Sequence, residues 1–127
     1  MQAVTGIGGI FFRARDPQAL GQWYQQHLGV PLEPWGGAAF EWQTPANPQG
    51  AGTTIWSPFA ADSNYYPQDK QFMINFRVAD LDAMLAQLRA ADCAVDEKVE
   101  DSEYGKFGWV TDPEGNKVEL WQPPAGK

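Results

Sequence analysis

The sequence predicts an α+β protein in which two similar modules complete one curved sheet, with helices outside and a cleft inside. Three observations carry this reading. A strand–helix–strands pattern occurs twice, an aspartate stands at the start of each helix, and the halves end alike, in TTIWSP (Thr53 to Pro58) and VELWQP (Val118 to Pro123). A half of about sixty residues would bury its sheet poorly alone, so the chain reads as one domain over residues 1–127. Module one covers about 6–60, the linker about 61–70 and module two about 71–124.

The elements follow in order. Ile10, Phe12 and Ala14 alternate along a first strand, as Ile74, Phe76 and Val78 do in the second module. Asp16 and Asp80 come two residues after these runs and are candidate helix N-caps, Asp16 being followed by Pro17, a favoured first helical residue. Leu20, Trp23, Tyr24 and Leu28 then have helical spacing, as do Leu81, Met84, Leu85 and Leu88, and Gly29 stops the first helix. AAFEWQT (Ala38 to Thr44) and GKFGWVT (Gly105 to Thr111) read as strands before the two closing segments. DPEGN, Asp112 to Asn116, is a hairpin turn, with proline second and glycine and asparagine after it.

Composition excludes several classes. A net charge of −7 argues against nucleic acid, whose phosphates call for a basic patch, and suits a neutral or cationic ligand. The single cysteine, Cys93, excludes an intrachain disulfide and fits a reducing compartment; it reads as packing at a helix end. The start, MQAVTGIGGIFF, lacks the pattern of a signal peptide, and no run approaches the ~20 apolar residues of a membrane span. A cytoplasmic protein is expected. GIGG (Gly6 to Gly9) precedes a strand rather than opening a helix, which is the wrong context for a phosphate loop. One histidine and one cysteine leave no nucleophilic triad. Six tryptophans are many for this length, and some should line a cavity or an interface.

FRARDPQALGQWYQQHLGV, FRVADLDAMLAQLRAA and above all FGWVTDPEGNKVELWQPP resemble the vicinal oxygen chelate superfamily of glyoxalase, bleomycin-resistance and extradiol-dioxygenase proteins, over about residues 6–124. The resemblance implies two βαβββ modules forming an open, barrel-like mixed sheet with helices outside, and a homodimer. Metal-dependent members of that group hold a divalent ion with His and Glu from the strands. A metal-binding His would stand seven residues before each capping aspartate, where this chain has Gly9 and Met73. The metal Glu of a last strand is kept as Glu119, and matching the two endings puts Thr54 in the corresponding place of module one. Catalytic metal sites take three protein ligands, so no metal ligands and no cofactor are expected here. His27, at the end of the first helix, reads as a surface residue.

Alternate residues of a strand share a face. If Ile10, Phe12 and Ala14 meet the helices, then Gly9, Phe11 and Arg13 face the cleft, with Met73, Asn75 and Arg77 from the second module. Phe107, Trp109 and Thr111, then Lys117, Glu119 and Trp121, follow from the hairpin, and Thr54 and Trp56 from the end of module one. The ligand-binding candidates are therefore Phe11, Thr54, Trp56, Met73, Asn75, Arg77, Phe107, Trp109 and Trp121, with Glu119 the catalytic candidate. Arg13 and Arg77 are expected near strand ends, solvated or paired with an acid. The linker residues Tyr65 and Tyr66 form either a lid over the cleft or a surface or dimer contact. An aromatic-walled pocket with few polar groups suits a small organic molecule with an aromatic or cationic part. The expected function is a metal-independent small-molecule binding protein of glyoxalase/bleomycin-resistance type. The alternative is a lyase or isomerase of the same superfamily using Glu119 as general base or as residual metal ligand, and a non-catalytic scaffold is a third reading. Whether any reaction is catalysed stays open at this level.

Overall fold

The computed structural model describes residues 1–45 and 47–125. Its elements run β1 (Val4–Ala14), α1 (Pro17–Leu28), β2 (Ala38–Glu41), β3 (Thr53–Ala60), β4 (Phe72–Val78), α2 (Leu81–Ala90), β5 (Ala94–Val95), β6 (Glu100–Ser102), β7 (Gly105–Thr111) and β8 (Lys117–Gln122). The strands form one mixed sheet in the order β2-β3-β1-β4-β8-β7-β5, with β6 paired to β7. The sheet does not close, so the architecture is an open, barrel-like α+β fold with its two helices on the outside. The two modules join within the chain through antiparallel pairing of β1 with β4. Strands are shared unequally. Module one has two after its helix and module two has four, of which β5 and β6 are short. No helix among the described residues is long and apolar enough to cross a membrane.

The local signals act through identifiable bonds. The Asp16 and Asp80 carboxylates accept from the backbone N–H groups of Ala19 and Ala83, each at 3.1 Å. Gly29 ends α1 in the left-handed conformation at φ 69°. In the β7–β8 turn Asp112 accepts from the N–H groups of Glu114 and Asn116, both at 2.9 Å, and from the Asn116 amide at 3.0 Å. Those bonds hold its carboxyl below the usual range.

The helices are not equally anchored. Leu81, Met84 and Leu85 of α2 pack with Val78 and Leu120 in a buried cluster on the outer face of the sheet. Burying such a side chain contributes ~1.5–3 kcal/mol, so α2 is held firmly. On α1, by contrast, Trp23 and Leu28 remain 51 % and 63 % exposed, although their spacing had placed them on the packed face. The fully buried residue of α1 is Gly21, which lies against Leu32 and Gly36. Trp23 instead covers Tyr24 and His27 on the surface. Cys93 is exposed rather than packed at the end of α2.

Candidate functional site

Strand register assembles the site. Parallel pairing of β4 with β8 sets Asn75 beside Glu119, and antiparallel pairing of β7 with β8 sets Trp109 on its other side. All three side chains lie on the concave face. Asn75 Nδ2 donates to Glu119 Oε1 at 2.7 Å, and Trp109 Nε1 donates to Oε2 at 2.9 Å. A third donor comes from the linker, the Tyr65 hydroxyl, 2.5 Å from Oε2. Glu119 and Asn75 are each only 2 % exposed. Burial pushes the Glu119 carboxyl above its ordinary range, and the three donors, with Lys117 nearby, offset part of that rise. Burial, and then the charge of Glu119, hold the Tyr65 phenol far above its own usual range, so against the Glu119 carboxylate the Tyr65 hydroxyl is the donor.

The linker lies in the cleft rather than over it. Tyr66 is buried with Met73 and Trp109, and Phe11, Phe59, Tyr65 and Phe107 pack around them. Arg13 fastens this segment. Its Nη1 donates to Pro67 O at 3.0 Å and, in a short contact, to Lys70 O, and its Nη2 donates to Ser63 O at 2.9 Å and Tyr66 O at 2.7 Å. The guanidinium also sits 4.1 Å from the centre of the Tyr66 ring. Arg13 is thus buried rather than solvated, and among the described residues it pairs with no acid: its charge is met by backbone carbonyls.

Of the other cleft candidates, Phe11, Met73, Asn75, Phe107 and Trp109 meet around this cluster. Arg77 and Trp121 lie further along the same face, with the guanidinium 4.9 Å from the Trp42 ring and 5.2 Å from that of Trp121. Arg77 is buried, and burial pulls its pKa below the usual value. Trp121 stacks on Phe107 with ring centres 6.1 Å apart and donates to Tyr104 O at 2.8 Å. Trp56 is misplaced by the sequence reading. It packs against Phe12 and Tyr24 on the helix side, with ring centres 5.3 and 4.9 Å away. The Thr54 hydroxyl, two residues earlier, accepts from Trp42 Nε1 and donates to Ile7 O, beside the Trp42 ring that the Arg77 guanidinium covers. The concave face of β3 carries Phe59, which stacks on Phe11 at 5.2 Å.

The register also corrects the match between modules. Counted from the capping aspartates, Phe11 corresponds to Asn75, and their parallel partners are Ser57 and Glu119. The residue matching Glu119 is Ser57, not Thr54. The positions at which the resemblance implies metal ligands are therefore Gly9, Ser57, Met73 and Glu119. Glycine offers no ligand atom, methionine only a soft thioether, and both Glu119 oxygens already accept hydrogens. Among the described residues no three His, Cys, Asp or Glu side chains converge. This donor set does not fit a hard divalent ion.

Open space lies beside the plug rather than beneath it. A pocket of about 380 Å³ borders Tyr65, Trp109 and Lys117. A larger open hollow of about 770 Å³ lies away from Glu119, between the start of α1 and Gln71. Tyr65, Arg13 and Gly8 are the residues whose roles sequence reasoning missed. For Gly8 the signal was present in GIGG. A side chain there would start 2.1 Å from Asn75 Oδ1 and 3.0 Å from the Trp121 ring, so glycine makes the room that Asn75 fills. Gly8→Ala is expected to cost ~1–3 kcal/mol in urea unfolding, by driving Asn75 off Glu119.

Comparisons with known proteins bear on the fold and the family. A family model described as Glyoxalase-like domain matches residues 9–121. Comparison with curated protein sequences finds none that matches. A methylmalonyl-CoA epimerase from Streptomyces coelicolor, in complex with 2-nitronate-propionyl-CoA, superposes with a TM-score of 0.66 at 18 % identity, covering 97 % of this chain and 100 % of that one. The methylmalonyl-CoA epimerase from Mycobacterium tuberculosis gives a TM-score of 0.60 at 20 % identity, covering 95 % and 89 %. A glyoxalase/bleomycin resistance protein/dioxygenase superfamily member from Vibrio splendidus 12B01 gives 0.56 at 15 % identity, covering 96 % and 99 %. At such identities the structural likeness speaks for the fold alone, and the family match carries the rest: the chain belongs to the glyoxalase-like domain family, within the vicinal oxygen chelate superfamily that its sequence resembles.

Proposed function

We propose that this chain is a metal-independent small-molecule binding protein, and that its ligand lies against Glu119 on the concave face of the sheet. One observation carries the reading: Glu119 is a buried carboxylate held by three neutral hydrogen donors, one of which comes from a loop. A buried carboxylate needs such donors, because burying it unsatisfied is costly. An incoming molecule that replaces the loop's donor inherits a strong, directional contact inside an aromatic wall. That chemistry selects a small organic molecule with an aromatic or cationic part.

The test is a thermal melting screen of small aromatic and amine compounds in the presence of a chelator. A true ligand at ~100 times its dissociation constant should add ~2.7 kcal/mol of stability. Glu119→Gln should weaken that ligand about ten-fold or more, and a chain that no compound stabilises contradicts the proposal.

The raised Glu119 carboxyl favours a second reading, a lyase or isomerase with Glu119 as general base. The Tyr65 hydroxyl now occupies the oxygen that a substrate proton would reach, so that base works only after the linker moves. A Glu119→Gln protein that exchanges a substrate's α-proton with D2O as fast as the parent would remove this reading.

A further inference from the structure

Two neighbouring tyrosines of the linker are held in opposite ways. Tyr66 is buried, donates to Gln71 O at 3.0 Å, and sits beneath the Arg13 guanidinium. Tyr65 is half-buried, and among the described residues its backbone is tied by a 3.3 Å contact from its N–H to Ser63 Oγ and by Lys117 Nζ donating to its carbonyl at 2.9 Å. Its ring nevertheless sits as a bound ligand would. It meets Phe59 edge-on at 5.6 Å and Trp109 edge-on at 6.2 Å, with its hydroxyl on Glu119. Its outer side borders the open pocket of about 380 Å³.

We propose that Tyr65 is an internal stand-in for the ligand, and that the ligand is a hydroxyaryl compound whose ring and hydroxyl take the place of the Tyr65 phenol. This rests on the reading of the Glu119 face as a binding site and narrows its ligand. Swinging Tyr65 out about the Asn64–Tyr65 step, while Arg13 keeps Tyr66 fixed, vacates a phenol-shaped space. A ligand lacking the hydroxyl leaves Glu119 Oε2 with the Trp109 N–H alone, so an aryl hydrocarbon is disfavoured. At the mouth Lys117 and Lys98 stand 5.3 and 5.8 Å from the Trp109 ring, but Lys98 is paired with Glu100 at 2.9 Å and Asp96 lines the same opening, so the hydroxyl contact on Glu119, not the charge of the mouth, sets the choice of ligand.

The experiment is titration of Tyr65→Ala with p-cresol and with toluene, followed by melting temperature and calorimetry, beside the parent protein. The expected result has p-cresol stabilising Tyr65→Ala, binding it about ten-fold or more tightly than toluene does, and binding the parent more weakly because Tyr65 competes. If the two compounds bind Tyr65→Ala equally, the cleft takes aromatic ligands but does not read a hydroxyl; the binding-site reading stands and this inference is overturned. If neither compound binds the variant while an unrelated compound stabilises the parent, this inference alone falls; if nothing binds either protein, both fall. Should Tyr65→Ala not fold, the parent is followed by the Trp109 indole N–H resonance. That signal should shift with p-cresol and not with toluene, and a signal unmoved by p-cresol overturns the proposal.

Discussion

Replacing Arg13 with alanine is expected to destabilise the protein by about 3–5 kcal/mol in urea unfolding and to make the linker, residues 61–70, readily cut by proteases. The size follows from what the side chain does. One buried guanidinium satisfies the carbonyls of Ser63, Tyr66, Pro67 and Lys70 and covers the Tyr66 ring. Removal leaves several of these carbonyls without a donor and opens a hole beside the Tyr66 side chain. Arg13→Lys should recover only part of the loss, because an ammonium cannot present the planar fork that reaches four acceptors. A loss below about 1 kcal/mol for Arg13→Ala would mean that the linker is held by its tyrosines alone.

Glu119 gives the second large effect, and two substitutions separate its causes. Glu119→Ala strands the donors of Asn75 and Trp109 in the interior and should cost roughly 2–4 kcal/mol. Glu119→Gln keeps the shape. The Asn75 amide can turn over, so that Oδ1, which is buried without a partner among the described residues, accepts from the new amide, while the Gln oxygen still accepts from Tyr65 and Trp109. Glu119→Gln should therefore stay within about 1 kcal/mol of the parent. The pH dependence differs between them in sign-determined fashion. Burial raises the folded-state pKa of Glu119 above its usual value of 4.5, so the folded protein binds that proton more tightly than the unfolded chain does. Stability contributed by this group is greatest below pH 4.5 and is lost as pH rises from there through the raised folded value. Subtracting the Glu119→Gln profile from the parent's, measured by urea unfolding across pH 4 to 8, should reveal a fall with rising pH. A difference that rises with pH would show that the three donors outweigh burial.

Much of the fold is legible in the sequence because its signals are local. A capping aspartate, a helix-ending glycine and the DPEGN turn each act within a few residues, and Asp16, Asp80, Gly29 and Asp112 form the bonds their positions imply. The alternation of β4, β7 and β8 likewise brings Asn75, Trp109 and Glu119 to one face. The signal fails where similarity of letters replaces strand register. Matching TTIWSP to VELWQP aligns Trp56 with Trp121, yet pairing with β1 and β4 shifts the true correspondence by three residues and turns Trp56 toward α1. It fails again where the partner is a backbone carbonyl. Among the described residues Arg13 finds no acid, and nothing in a residue pattern marks the acceptors of a ten-residue linker as its destination. Tyr65 belongs to the same case, because a loop has no period from which the depth of one side chain can be read.

On the proposed function, Glu119 serves an organic ligand without a metal. Elemental analysis of the natively purified protein, joined to melting curves with and without Zn²⁺, Ni²⁺, Mn²⁺ and Fe²⁺, tests it most directly. No stoichiometric metal and no shift with any of the four ions are expected. Stoichiometric metal that disappears in Glu119→Gln, with a melting temperature that rises on adding that ion, would contradict it and would make Glu119 a metal ligand after all.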